Sequence, residues 1–147
     1  MTLDQNNRQA DSQLPSKIDF SEAKRRVREK WLPIAAKRVG TGVAVVDELC
    51  VAYEWGWVIH WQPIDPEKGD PRFVNEYHFP YTADRVTGSV WLSGGSYGIE
   101  RGIIELLQQR PVELCGPYPP GRQSWLTVYD AFKSAGAFTP IGSPHSI

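Results

Sequence analysis

Three histidines, His60, His78 and His145, and two cysteines, Cys50 and Cys115, are the side chains best suited to hold a metal or attack an electrophile. Their spacing suits neither task. No HExxH or HxH arrangement sets two imidazoles on one face of a helix or strand, so the metal signal is poor. His60 would meet His78 only if the central strands are neighbours, and a histidine on a mixed strand face is more often a hydrogen-bonded structural residue. The cysteines lie far apart without CxxC spacing and read as two free thiols. Neither they nor the scattered serines stand in a nucleophile-elbow pattern or beside a recognisable base. Asp65, Glu67, Asp70 and Glu76 are loop acids near Pro and Gly, the setting of solvated turn residues, and spacing alone makes none of them a general acid. The segment SGGSYG, residues 93–98, precedes a helix whose first amides can hold an anion, but the phosphate-loop lysine is missing and a strand-to-helix turn explains its glycines. The expectation is a protein that is not an enzyme, with no catalytic residue, no metal site and no cofactor.

Asp84 has a simpler role. It ends a strand and opens a tight turn, where its side chain can accept hydrogen bonds from amides two or three residues on and fix the loop that Gly88 completes. The elements that hold such residues begin after a polar stretch, residues 1–16, which has almost nothing to bury and is expected to be a flexible tail. From Asp19 the spacing of Phe20, Ala23, Val27, Trp31 and Ile34 predicts an amphipathic helix, with Lys24, Arg25, Arg28 and Lys30 pointing elsewhere. Asp19 and Glu22 form a capping box at its start, and Pro33 should kink or end it near Leu32. Val43 to Asp47 and Trp55 to Gln62 read as strands that pair as a hairpin. In the second, Trp55, Trp57, Ile59 and Trp61 share one face, which should cover the core against the helix. Trp57, Ile59 and Trp61 are therefore structural. Residues 64–72 read as a solvated loop, and Phe73 to Ala83 and Ser89 to Ser93 as strands three and four. Ile99, Ile103, Ile104 and Leu107 mark a second helix stopped by Pro111. Beyond the proline-rich GPYPPG, Ser124 can cap a third short helix through Leu126, Tyr129 and Phe132, before an irregular tail.

The fold class that follows is α+β: an N-terminal amphipathic helix packed on a mainly antiparallel four-stranded sheet, a closing helix, and a short helical C-terminal appendage. The expected divisions are the tail at 1–16, the α+β domain at 17–110 and the proline-rich appendage at 111–147. A chain of 147 residues that is 41% hydrophobic suits one core of ordinary size. Its net charge of -1 gives no general reason to expect nucleic-acid or membrane binding. The charge is nevertheless uneven, with eight basic and three acidic residues from Lys17 to Arg38, and eight acidic and two basic from Asp47 to Asp84. The N-terminus lacks a basic start followed by an apolar run, and no segment reaches the roughly 18 apolar residues of a membrane span, so a cytoplasmic location is expected.

The stretch AVVDELCVAYEWGWVIHWQP, followed by PYTADRVTGSVWLSGG and a helix, resembles the YrhB-domain immunity proteins, known as immunity protein 35. The resemblance spans approximately residues 20–110, and the segment 111–147 has no counterpart in the minimal domain. The matching positions are Gly56 and Trp57 opening a strand, Pro80 entering the next, and Asp84 with Gly88 in its hairpin. The resemblance implies a scaffold role for these residues. It also implies an antidote to a polymorphic toxin of interbacterial competition, which protects its producer by binding the cognate toxin without a reaction.

Such inhibition needs a preorganised surface with aromatic anchors for affinity and charges that steer the encounter. The acidic stretch with Glu48, Glu54, Asp65, Glu67 and Asp70 is the first candidate, because a toxin acting on nucleic acid would present a basic cleft. Tyr53 and Trp55 are the candidate anchors beside it. Two other readings stay open. Aromatic residues can line a pocket between sheet and helix in a small-ligand or enzymatic domain, converging on His60, His78 or Tyr81. Alternatively, the appendage can dock a partner in an adaptor module.

Overall fold

The computed structural model describes residues 17–93 and 98–145. The tail expected at 1–16 and most of the SGGSYG turn lie outside the described residues. A continuous helix, α1, runs over residues 20–39 in three parts: α-helical Phe20–Arg26, π-helical Val27–Trp31 and α-helical Leu32–Val39. Asp19 caps its start, accepting the Glu22 amide at 2.8 Å. The helix does not end at Pro33. Instead the Leu32 amide reaches back five residues to Val27, and this wider turn accommodates the proline's missing donor. The extra residue rotates the face that follows by one position. Phe20, Ala23 and Val27 are buried before the π turn, and Leu32, Ala35 and Val39 after it. Ile34, expected on the core stripe, is 63% exposed.

Six strands follow among the described residues: β1 (Val43–Val45), β2 (Val51–Tyr53), β3 (Gly56–Ile59), β4 (Trp61–Pro63), β5 (Tyr81–Asp84) and β6 (Val90–Leu92). A four-stranded antiparallel sheet has the order β2-β3-β5-β6, and β1 pairs with β4 in a second, two-stranded sheet. The strand expected from Trp55 to Gln62 is divided at His60. Its second half pairs with β1 as expected, with Val45 opposite Trp61, while its first half makes a tight hairpin with β2. Trp55 lies in no strand: it shares the two-residue turn of that hairpin with Glu54, between Tyr53 and Gly56. At Gly56 a Cβ would stand 1.9 Å from the Ala83 carbonyl oxygen, so only glycine permits β3 to approach β5 there. Phe73 to Pro80 is not a strand. That segment is tied instead to the end of α1, with the Asp70 amide bonded to the Val39 carbonyl at 2.7 Å and Arg38 paired with Glu76 at 2.7 Å.

Helices α2 (Gly98–Leu107) and α3 (Trp125–Ser134) complete the fold, and they give the sheet a second covered face. Trp57 and Ile59 point to α1 and join Phe20, Val27, Tyr81 and Ala83 in one apolar cluster. Val58 points the other way and, with Trp55, meets Ile103, Ile104, Leu106 and Leu107 of α2 in another. The expected appendage supplies Tyr118, Val128, Phe132 and Ala137 to that second cluster. The expected irregular tail also reaches the sheet, where Ala52 and Gly142 form an isolated antiparallel bridge beside β2. Leu126, expected on the buried stripe of α3, is exposed. No helix among the described residues is long and apolar enough to cross a membrane.

Candidate interaction surface

Asp84 and Gly88 hold the β5–β6 hairpin. One oxygen of the Asp84 carboxylate accepts the Val86 and Thr87 amides, at 2.8 and 3.3 Å, and the Gly88 amide donates to the Asp84 carbonyl. Gly88 has φ of 77°, the left-handed region open to glycine, and its carbonyl accepts Arg26 from α1 at 2.8 Å. The carboxylate is fully buried, and Arg110 meets both its oxygens at 2.7 and 3.0 Å in a bidentate pair. Arg110 also donates to the Leu114 carbonyl, which ties the segment after α2 to the hairpin. Sequence spacing gave no sign of this partner. The other residues assigned to the scaffold are buried as well: Trp57 donates its indole N–H to the Pro144 carbonyl, Trp61 donates to that of Phe79, and Ile59 and Pro80 are enclosed.

The residues proposed to bind a toxin are not brought together. Glu54 stands in the β2–β3 turn, whereas Asp65, Glu67 and Asp70 lie in the segment that follows β4. Glu48 lies in the turn between β1 and β2, at neither site. Two of the acids are already engaged. Asp70 pairs with Arg72 at 2.8 Å, and the hydrogen bonds from that residue hold its carboxyl below the usual range; Asp65 pairs with Lys68 at 3.6 Å. Trp55 is 1% exposed and donates its indole N–H to the Ala137 carbonyl at 2.8 Å, so it is a core residue and no surface anchor. Tyr53 stacks on it with ring centroids 5.0 Å apart and is half-buried. Arg85 closes this corner by donating to the carbonyls of Tyr53 and Glu54.

The histidines do not converge. His78 stacks on Trp61 with centroids 4.6 Å apart, and its Nε2 lies 3.1 Å from the Val74 carbonyl oxygen. His60 is at the break between β3 and β4, where burial lowers the pKa of its ring. The described residues hold no group of three His, Cys, Asp or Glu side chains placed for a metal. Burial pushes the Cys50 thiol up to about 11, so it is protonated at neutral pH, the unreactive form.

What sequence reasoning missed is a furrow between α1 and β6, mainly apolar in one part and walled by Arg25, Arg26, Glu29 and Lys30 in the other. One part, about 270 Å³, is lined by Ile34, Trp61, Tyr77, His78, Tyr81 and Leu92 among others. The neighbouring part, about 480 Å³, runs between residues 25–31 of α1 and Gly88 to Trp91. Ile34 and Tyr77 are 63% and 62% exposed, and Phe79, Trp91 and Leu92 are also open to solvent. Tyr77 and Phe79 meet edge to face at 5.1 Å, and the Arg38–Glu76 pair holds their segment against α1. The available signal was the aromatic cluster YHFPY at 77–81, which reads as strand-forming but stands in an irregular segment that presents its rings sideways. No protein-family model matches this chain, and no curated protein or solved structure shows significant similarity to it.

Proposed function

We propose that this chain is a protein-binding module that neutralises its partner by occlusion, in the manner implied by its resemblance to the YrhB-domain immunity proteins. The observation that carries the reading is the exposed furrow of Ile34, Tyr77, Phe79 and Leu92 on a sheet covered on both faces. Adjacent apolar side chains of this size on the surface of a packed domain mark an interaction site, and aromatic anchors supply most of the affinity of such surfaces. A rigid support lowers the entropy lost on binding. The furrow therefore replaces the dispersed acids as the contact surface.

The test is co-expression with the product of the neighbouring reading frame. The two proteins are expected to co-purify, and the chain to protect cells from that product. Tyr77→Ala should weaken the complex by about 30-fold or more, the scale of a hot-spot residue, while Glu48→Lys and Glu54→Lys should leave it near the wild-type value. A neighbour that is harmless alone, or that neither binds nor is neutralised, rules out the immunity reading for that pair.

A second reading is favoured by His78 and Tyr81, which line the same furrow. They would suit a small ligand with an aromatic face and one polar group. The part they line is about 270 Å³, at the lower end of ligand pockets, and its rim is exposed apolar side chains, which suits a macromolecular contact better. Thermal shift against a library of small aromatic acids and amines separates the two. A saturable shift abolished by His78→Ala would favour the ligand.

A further inference from the structure

Among the described residues β6 is the last strand of its sheet, and its bonds to β5 fix where its backbone points. The Ser93 amide donates to the Pro80 carbonyl at 2.9 Å and the Asp84 amide to that of Ser89 at 2.8 Å, with Thr82 opposite Trp91 between them. Bonded and non-bonded positions alternate in an antiparallel pair, so the amides and carbonyls of Val90 and Leu92 point out of the sheet. Among the described residues no backbone group pairs with them. This open edge joins the two parts of the furrow: Val90 lines one and Leu92 the other.

We propose that β6 receives an extended segment of the partner protein as a fifth strand, and that this segment alternates apolar with acidic residues. The inference rests on the protein-binding reading above and names its site. Backbone bonds to Val90 and Leu92 supply the register, and apolar side chains of the incoming strand fill the furrow beside Ile34 and Leu92. The charge comes from α1, whose residues 20–39 include seven basic and two acidic side chains. Among the described residues no carboxylate pairs with Arg28, Lys30 or Lys37. Lys30 lines the furrow itself, with its ammonium 5.8 Å from the Trp31 ring centre. A second copy of the chain, pairing β6 with β6, would bring two such basic helices together, and like charges oppose that arrangement. An acidic strand meets no such penalty.

A displayed library of random ten-residue peptides, selected against the folded chain, provides the test. Enriched peptides should alternate apolar residues with Asp or Glu, and their binding should protect the Val90 and Leu92 amides from hydrogen exchange. Leu92→Pro removes an outward amide without touching a bond to β5, and should weaken binding about tenfold or more with cooperative unfolding retained. Lys30→Glu leaves the strand backbone intact, and should weaken acidic peptides while sparing neutral ones. No enrichment, enrichment without acids, protection elsewhere, or a homodimer protected along β6 would each overturn the proposal. A neighbouring gene product that binds the wild-type and Leu92→Pro chains equally would overturn this site and leave the protein-binding reading standing. Failure to bind either chain would remove both.

Discussion

Burying a carboxylate is costly unless a cation and hydrogen bonds meet it, and at Asp84 Arg110 reaches both oxygens while two turn amides share one of them. The pair is valuable less for its own energy than for what its halves join, a hairpin turn and the segment after α2. Arg110→Met would leave the carboxylate enclosed and uncompensated, and should cost about 3–5 kcal/mol. Asp84→Asn in the same chain should recover part of that loss, because the amide oxygen still accepts the turn bonds and no charge remains to be balanced. Guanidinium denaturation of the two single variants and the double variant measures the coupling. Strict additivity would mean that the pair does not act as a unit. The turn role of Asp84 could be read from its position before Gly88; its partner could not, because 26 residues separate the two and no local rule relates them. Trp55 is the opposite case. Alternation placed it in the row with Trp57, but a two-residue turn turned it into the other core.

At the level of elements, α1 shows where local rules succeed and where they stop. Its cap, amphipathic start and basic outer side were legible, since each depends on residues within a turn or two. The π turn was not, and it set Leu32 and Ala35 on the buried face where Ile34 was expected, turning Ile34 outward into the furrow while Trp31 still packs against the core. Strand limits failed for the same kind of reason. Val51–Tyr53 is short and its turn carries no Asn or Gly in the loop itself, whereas 73–80 looks extended but is held by contacts with α1. The first turns of α1 also make a pH prediction. Hydrogen bonds from Arg25, then Arg26, lower the Glu22 carboxyl from its ordinary 4.5 to about 2. A depressed folded-state pKa contributes stability that is complete above 4.5 and is lost as pH falls toward 2. Glu22 is partly exposed, so solvent screening keeps the effect small. Melting temperatures measured across that window should fall more steeply for the wild type than for Glu22→Gln, and parallel curves would show that these ion pairs contribute nothing to the acid limb.

Across the whole molecule, the expected boundary at residue 110 separates pieces that pack as one. Tyr118, Val128, Phe132 and Ala137 close the cluster built on Trp55, Val58 and α2, and the indoles of Trp55 and Trp57 find their acceptors at Ala137 and Pro144. The segment also bonds to β2, where the Ala52 amide donates to the Gly142 carbonyl at 2.9 Å and the Ile141 amide to that of Ala52 at 2.8 Å. Proline-rich composition concealed this, because it correctly signals irregular backbone at 116–121 but says nothing about burial of the residues that follow. Deleting 111–147 should therefore do more than remove an adaptor arm. It uncovers Ile103, Ile104, Leu106 and Leu107, opens the β2 edge, and leaves two buried indole donors unpaired. The expected result is a chain without a cooperative denaturation transition and without the near-ultraviolet circular dichroism of fixed tryptophans. Phe132→Ala, which removes one fully buried ring and keeps every backbone bond, should lower stability by about 3–5 kcal/mol while the transition stays cooperative. A truncated chain that melts as sharply as the whole would restore the boundary and make the C-terminal segment a dispensable cover. Failure of the truncation together with a graded loss in Phe132→Ala would place it within a single folding unit, the support on which the α1–β6 furrow depends.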